Sequence, residues 1–374
     1  MNKCYNLSVR HLNNLLIFLS LSALLYCTDW PQFRGNDSLT GVSSEALPGI
    51  LKTAWTFDSG DKILNQPVIA GGRVFTAGEK KISALEAASG KIIWEFKKEA
   101  AGSSVGSIKS SPVVKNGVLY AGDASGEVYA LEAGSGKKLW SFKTDSQIVT
   151  SLIVFGGNII FGTYEGSFLA ISAADGKTAW TADIGFPIYA SPSIYDGKAL
   201  LTSCDGVLRF IDLKNGETAD SVSVGSYLAS SPAVFDGKFY LASLKGEFSC
   251  IDLKSKEAAW SVTGTEGTET YASPAADGTG VIFADRDGNV ACLGAKDGKK
   301  TWGFNAGSSV DSSPVISGEY IYFGTDAGLI FGLNKKDGSV AWKYEAGGHI
   351  SGSPAVSEGR LFIGSSDGIL YCFK

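Results

Sequence analysis

An eleven-residue stretch at 130–140, ALEAGSGKKLW, constrains this chain more than any other feature, because its shape recurs almost to the C-terminus. Matching stretches occupy 84–94, 170–180, 210–220, 250–260, 292–302 and 332–342; six of the seven end in Trp and one in Asp220. They lie about 40 residues apart, the spacing of a propeller or solenoid whose units bury their faces only against neighbours. Each unit carries four short β-type runs, in the second unit SPVV, VLYAG, VYALE and LWSF, separated by Gly-bearing turns. The first turn holds pairs such as Asn116-Gly117 and Asp196-Gly197, which reach the positive φ of tight hairpins. Runs such as VLYAG are apolar on successive residues, as expected of strands buried on both faces.

Eight modules begin at Gln66, Ser111, Ser151, Ser191, Ser231, Ser273, Ser313 and Ser353, and the last stops without a Trp strand. The run LKTAWTF at 51–57 supplies one, with Trp55 in register with the period. The expectation is all-β: a single eight-bladed β-propeller of four-stranded antiparallel blades, closed by the N- and C-terminal strands. An open ring would leave strand edges and a blade face exposed.

The recurring Ala-x-Glu-x-x-Ser-Gly-x-x-x-Trp resembles the tryptophan-docking motif of the PQQ-type β-propeller family, across roughly residues 51–374. The resemblance implies that Trp55, Trp94, Trp140, Trp180, Trp260, Trp302 and Trp342 pack between adjacent blades. Because this family contains quinone-dependent dehydrogenases, the outer-membrane assembly lipoprotein BamB and many binding proteins, fold does not settle function. The expectation is a non-catalytic envelope scaffold similar to BamB, with a PQQ-dependent oxidoreductase or a ligand-binding sensor as alternatives. Implied partners are envelope proteins, including an outer-membrane assembly complex, with the chain a monomer inside it.

Residues 1–27 carry Lys3 and Arg10, an apolar run and then Cys27, the pattern of an export signal. The run LLIFLSLSALLY is too short to span a bilayer comfortably. The segment 24–27, LLYC, resembles a lipobox with Tyr26 where a small residue is usual, so lipidation at Cys27 stands beside ordinary cleavage and an uncleaved anchor. The expected location is outside the cytoplasm, lipid-anchored at the periplasmic face of the outer membrane or at the cell surface, otherwise periplasmic. Residues 28–50 form a lead-in whose DWPQFRG opening is similar to that of many exported PQQ-like propellers. It reads as a strap whose Trp30 and Phe33 pack on the propeller, or as a partner-binding arm.

With 33 basic and 38 acidic residues the chain lacks the basic excess that binding a phosphate backbone needs, so nucleic acid is not an expected partner. No catalytic, cofactor-binding or metal-binding residues are assigned; PQQ and calcium belong to the oxidoreductase alternative alone. Cys250, Cys292 and Cys372 occupy the small-residue slot of Ala84, Ala130 and Ala170, the place of a buried hydrophobe. Outside the signal His349 is the only histidine. Gly176-Lys177-Thr178 and Asp285-Arg286-Asp287-Gly288-Asn289 look like a phosphate loop and a calcium loop, but both coincide with ordinary turns of the repeat. Asp220 in a Trp slot and Lys256 in a turn-Gly slot mark two breaks; local rearrangement and a weak seam between the fourth and fifth blades are expected.

Two adjacent columns precede each innermost strand. One reads Ile63, Ile108, Ile148, Ile188, Leu228, Thr270, Val310 and Ile350, nearly uniform, as core positions are. The next drifts through Leu64, Lys109, Val149, Tyr189, Ala229, Tyr271, Asp311 and Ser351, as side chains free of packing at a channel mouth would. Val149, Tyr189, Ala229 and Tyr271 form an apolar arc and are the candidate partner-binding residues. Loop-to-loop packing is the alternative for them.

Overall fold

The computed structural model describes residues 29–97, 107–225, 227–264 and 268–374. Its sheets are eight antiparallel blades in a ring. Blade 3 is representative, with Ile153–Phe155 innermost, then Asn158–Gly162 and Ser167–Ser172, and Thr178–Asp183 outermost. Its two middle strands are almost wholly buried, and its outer strand alternates. In the first turn of blade 2, Asn116 and Gly117 have φ of 50° and 77°, the hairpin geometry their sequence favours.

The ring closes as the sequence implies. Thr53–Asp58 pairs antiparallel with Ile369–Phe373, Trp55 opposite Cys372, and becomes the outer strand of blade 8. Lys52 and Lys374 exchange both backbone hydrogen bonds at 2.8 and 2.9 Å.

Neighbouring blades are stitched at two radii. At the rim, the indole of one blade lies on the third-turn glycine of the next. A Cβ on Gly216 would stand 2.5 Å from the Trp180 ring, and one on Gly136 2.6 Å from that of Trp94. These glycines also have φ near +75°, so both space and backbone demand Gly. The indole N–H then donates to the same turn, Trp180 to Leu213 O at 2.9 Å and Trp302 to Lys335 O at 2.8 Å. Trp342 has no such turn ahead of it and meets the Phe373 ring edge-on at 5.0 Å.

At the axis, the Ser111 N–H donates to Ser151 Oγ, Ser151 to Ser191, Ser191 to Ser231, Ser231 to Ser273, Ser273 to Ser313 and Ser313 to Ser353, at 2.8 to 3.2 Å. Blade 1 has Gln66 in this belt. Its N–H donates to Ser111 Oγ at 3.1 Å, while its side-chain amide donates to Pro354 O of blade 8.

The seam between blades 4 and 5 departs from expectation. The backbone does not rearrange: Phe210 faces Asp220 in the register, and with the bulge, that places Ala170 opposite Trp180. Asp220 is half-exposed rather than buried and forms an ion pair with Lys256, which holds the glycine-like φ of 62°. The two apparent breaks are therefore one exchange, a Trp–Gly contact replaced by a carboxylate–ammonium contact at the same place.

Candidate functional site

The lead-in seals one end of the channel. An innermost strand has no partner on its axial edge, so its N–H groups need acceptors. Residues 30–41 supply them around the axis: Trp30 exchanges both bonds with Ile69, and Pro31, Asp37, Ser38, Thr40 and Gly41 carbonyls accept from Val114, Ile194, Val234, Ala276 and Ile316 at 2.7 to 3.0 Å. Val42–Ser43 then runs parallel to the innermost strand of blade 7. Trp30 is 2% exposed and Phe33 forms part of the cavity floor, so this stretch is part of the propeller body.

At the centre of the plug lies Arg34, wholly buried. Its Nη1 donates to Pro314 O at 2.6 Å and its Nη2 to Pro274 O at 2.8 Å, while its backbone N–H donates to Gln66 Oε1 at 2.7 Å. The one non-serine in the belt is thus the residue that holds the plug. Burial pushes the Arg34 guanidinium down to about 9.

The other end is open, and the drifting column lines it. Leu64, Lys109, Val149, Tyr189, Ala229, Tyr271, Asp311 and Ser351 all border a cavity of about 180 Å³ floored by the serine belt and Phe33. The uniform column beside it is buried throughout, and a Cβ on Gly162 would lie 2.5 Å from Ile188 Cγ2.

The mouth is unequal. On blades 3 to 5 it is aromatic: Tyr164 meets Tyr189 edge-on at 5.7 Å, with Phe186 and Tyr227 exposed on adjoining loops. Partial burial, with the Tyr164 hydroxyl beside it, pushes the Tyr189 phenol up to about 12, keeping it neutral and able to donate. Burial and Asp205 also raise the nearby Cys204 thiol. On blades 6 and 7 the mouth is ionic. Arg286 donates to both oxygens of Asp311, at 2.9 and 2.8 Å, and to Glu269 at 2.9 Å, and its guanidinium stacks 4.1 Å over the Tyr271 ring. Tyr271 is thus already a cation platform, whereas Tyr189 is not.

Tyr164, Phe186 and Tyr227 are absent from the sequence-derived arc. Tyr164 and Arg286 share one column, the first residue of the second turn, which reads Glu79, Ala124, Tyr164, Cys204, Leu244, Arg286, Asp326 and Ser366. That column also drifts, and comparing it would have found both.

The other motifs dissolve into the repeat. Gly176 lies under the Trp140 ring, and Asp285 Oδ1 accepts from the N–H groups of Asp287 and Asn289 within its own hairpin. Cys250, Cys292 and Cys372 are buried free thiols and Cys204 is a half-buried one. Among the described residues no three His, Cys, Asp or Glu converge as a metal site would require. Cys27 lies outside the described residues.

The family model described as "Outer membrane protein assembly factor BamB" matches residues 52–153, 78–302 and 286–374. No curated protein matches the sequence. Among solved structures the chain is similar to BamB from Moraxella catarrhalis, with 19% identity and a TM-score of 0.75 over 87% of this chain and 100% of that one. It is also similar to the quinohemoprotein alcohol dehydrogenase from Comamonas testosteroni, with 12% identity and a TM-score of 0.79 over 92% and 80%. A europium-containing methanol dehydrogenase gives 13% and 0.73 over 92% and 98%. At these identities the structural likeness carries the fold alone.

Proposed function

We propose, from the premise that the chain belongs to the family described as outer membrane protein assembly factor BamB, that it is a non-catalytic scaffold of the cell envelope. It binds other envelope proteins at its channel mouth, as a monomer within an assembly such as an outer-membrane assembly complex. The observation that carries this reading is the uncharged arc on blades 3 to 5, where Tyr164, Phe186, Tyr189 and Tyr227 stand exposed beside Val149 and Ala229. Exposed aromatics on loops held by a rigid frame are the residues that most often anchor a protein partner. With the far end sealed, the cavity acts as a socket.

Anchoring fits the same geometry. Asp29 accepts the Gly71 N–H at 3.1 Å on the sealed side, and Cys27 is two residues earlier. A lipid on Cys27 holds the sealed face toward the membrane and turns the mouth away from it. Mass spectrometry of the mature N-terminus tests this; an unmodified terminus beyond Cys27 ends the lipid claim and leaves export standing.

We read the cavity as unsuited to a quinone cofactor and its calcium. Such a pair asks for several cations and carboxylates, and the ionised residues lining this cavity, among those described, are Lys109 and an Asp311 already held by Arg286. Titration with PQQ and calcium checks it: stoichiometric tight binding with dye-linked alcohol oxidation would replace the scaffold reading by an oxidoreductase. The direct test is capture of envelope partners by the wild type and by Tyr189→Ala with Tyr271→Ala, with melting curves beside it. Loss of capture at an unchanged melting temperature is the expected result. Retained capture, or a melting loss of several degrees, moves the binding face elsewhere.

A further inference from the structure

We infer that the mouth receives a basic segment of its protein partner, one arginine or lysine side chain entering a slot between Tyr189 and Tyr271. The inference rests on the scaffold reading and adds the chemistry of the occupant. Tyr189 stands on blade 4 and Tyr271 on blade 6, and blade 5 between them contributes only the methyl group of Ala229 at this position. Two tyrosines and the small residue separating them border one cavity, with Ser231 below. The slot is one blade wide, open to solvent, and bordered on either side by a half-exposed tyrosine.

Three features of this slot favour a cation. Aromatic faces attract ammonium and guanidinium groups, the planar guanidinium most readily. The mouth already uses one of these rings that way, since Arg286 stacks 4.1 Å over Tyr271 while paired with Asp311 and Glu269. Finally, the loops bordering the arc carry Asp145, Glu165 and Glu269 against Lys245 and Arg286, and Arg286 is already paired with Glu269 and Asp311. The cation that lines the cavity, Lys109, belongs to blade 2, diametrically opposite blade 6 in an eight-bladed ring. An acidic segment would meet these carboxylates, and a purely apolar one would leave Asp145 and Glu165 without a cation.

Two short peptides identical except for a central arginine or its neutral isostere citrulline test the inference, titrated into the mature protein while tyrosine ring NMR signals are followed. The arginine peptide is expected to bind about five- to tenfold more tightly. The difference should shrink in high salt. It should vanish both in Tyr189→Leu with Tyr271→Leu, which keeps apolar bulk without ring faces, and in Ala229→Trp, which fills the slot. Equal affinities, no measurable binding of the arginine peptide, or a preference that survives both variants overturns the inference. Envelope-partner capture by the same proteins separates the two claims. Capture lost in Ala229→Trp while the wild type treats both peptides alike leaves the mouth as docking face and removes the basic occupant. Capture retained there despite an arginine preference in the wild type keeps the cation slot and removes the scaffold face from the mouth.

Discussion

At the sealed end of the channel Trp30, Arg34 and Leu39 are buried in the strap, whereas at the open end of the same axis equivalent positions run through Leu, Lys, Val, Tyr, Ala, Tyr, Asp and Ser. The difference is what each end must satisfy. The sealed end answers the unpaired N–H groups of innermost strands with a single strap threaded past them, so a wrong side chain there strands backbone groups around the axis. The open end completes its backbone bonding locally; the second turn of each blade donates to the loop before it, as in Tyr164 N to Gln147 O and Arg286 N to Glu269 O at 2.9 and 3.2 Å. Side chains at the mouth are thereby released from structural duty, and specificity can be written there without cost to the fold.

The largest expected break in this contrast is Gly41→Ala. Gly41 has φ of +64°, and a Cβ there would stand 1.9 Å from Arg34 Nη2, inside the plug. Strained backbone and overpacking together should cost about 4 kcal/mol in chemical denaturation. A loss below about 1 kcal/mol would mean that the strap moves freely and that the sealed end is not over-determined. The buried cation supplies a second probe through pH. Burial lowers the Arg34 guanidinium toward about 9 in the folded state, below the ordinary guanidinium value that the unfolded chain keeps. Above about pH 9 the unfolded state therefore binds more protons, and stability attributable to Arg34 rises with pH. Measured against Arg34→Met, the wild type should gain relative stability from neutral pH to pH 10.5; a falling or flat difference contradicts the burial argument.

The contrast sharpens between consecutive residues. Ile188 is fully buried against Gly162, so Ile188→Ala should cost about 3 kcal/mol, while its neighbour Tyr189 faces the mouth. Equal losses at the two positions would erase the distinction between uniform and drifting columns.

The rim of the sealed end offers a milder test. Asp220 and Lys256 replace an indole and the glycine beneath it, so Asp220→Trp with Lys256→Gly should restore the docking seen at the other seams and gain about 1 kcal/mol. Asp220→Trp alone should lose stability, because the Lys256 side chain occupies the space where Gly216 leaves room for Trp180. A double variant no more stable than the better single one would show that the ion pair already supplies what the indole would.

These pairs also mark the limits of reading one sequence. The eight-bladed ring, the Trp positions and the column lining the cavity were legible because repetition lets the chain be aligned with itself, so that constancy reports packing and drift reports freedom. The exchange at the fourth seam read as two separate faults because its partners sit 36 residues apart, in different blades. The strap occurs once, so nothing within the chain offers a comparison for it, and Arg34 as a buried cation on two carbonyls has no signature in composition or spacing. Tyr164 was within reach, in a column left uncompared. Phe186 and Tyr227 were within reach too, two residues before Ile188 and one before Leu228, at fixed distances from the uniform column.

The smallest expected effect is the one on which the contrast turns. Tyr189 is 40% exposed and Tyr271 38%, so their removal forfeits the Tyr164 edge contact and the Arg286 stack but no core. Each such surface contact is worth about half a kcal/mol, and the ion pairs of Arg286 with Asp311 and Glu269 remain. The Tyr189→Ala, Tyr271→Ala double variant should therefore lie within about 1 kcal/mol of wild type by denaturation, with an unchanged slope in denaturant, since the surface exposed on unfolding hardly alters. Against the Gly41→Ala loss, this sets a ratio of about four between the two ends of the channel. A double-variant loss approaching 3 kcal/mol would place the tyrosines with Ile188 in the packed frame and leave the mouth without side chains free to recognise anything.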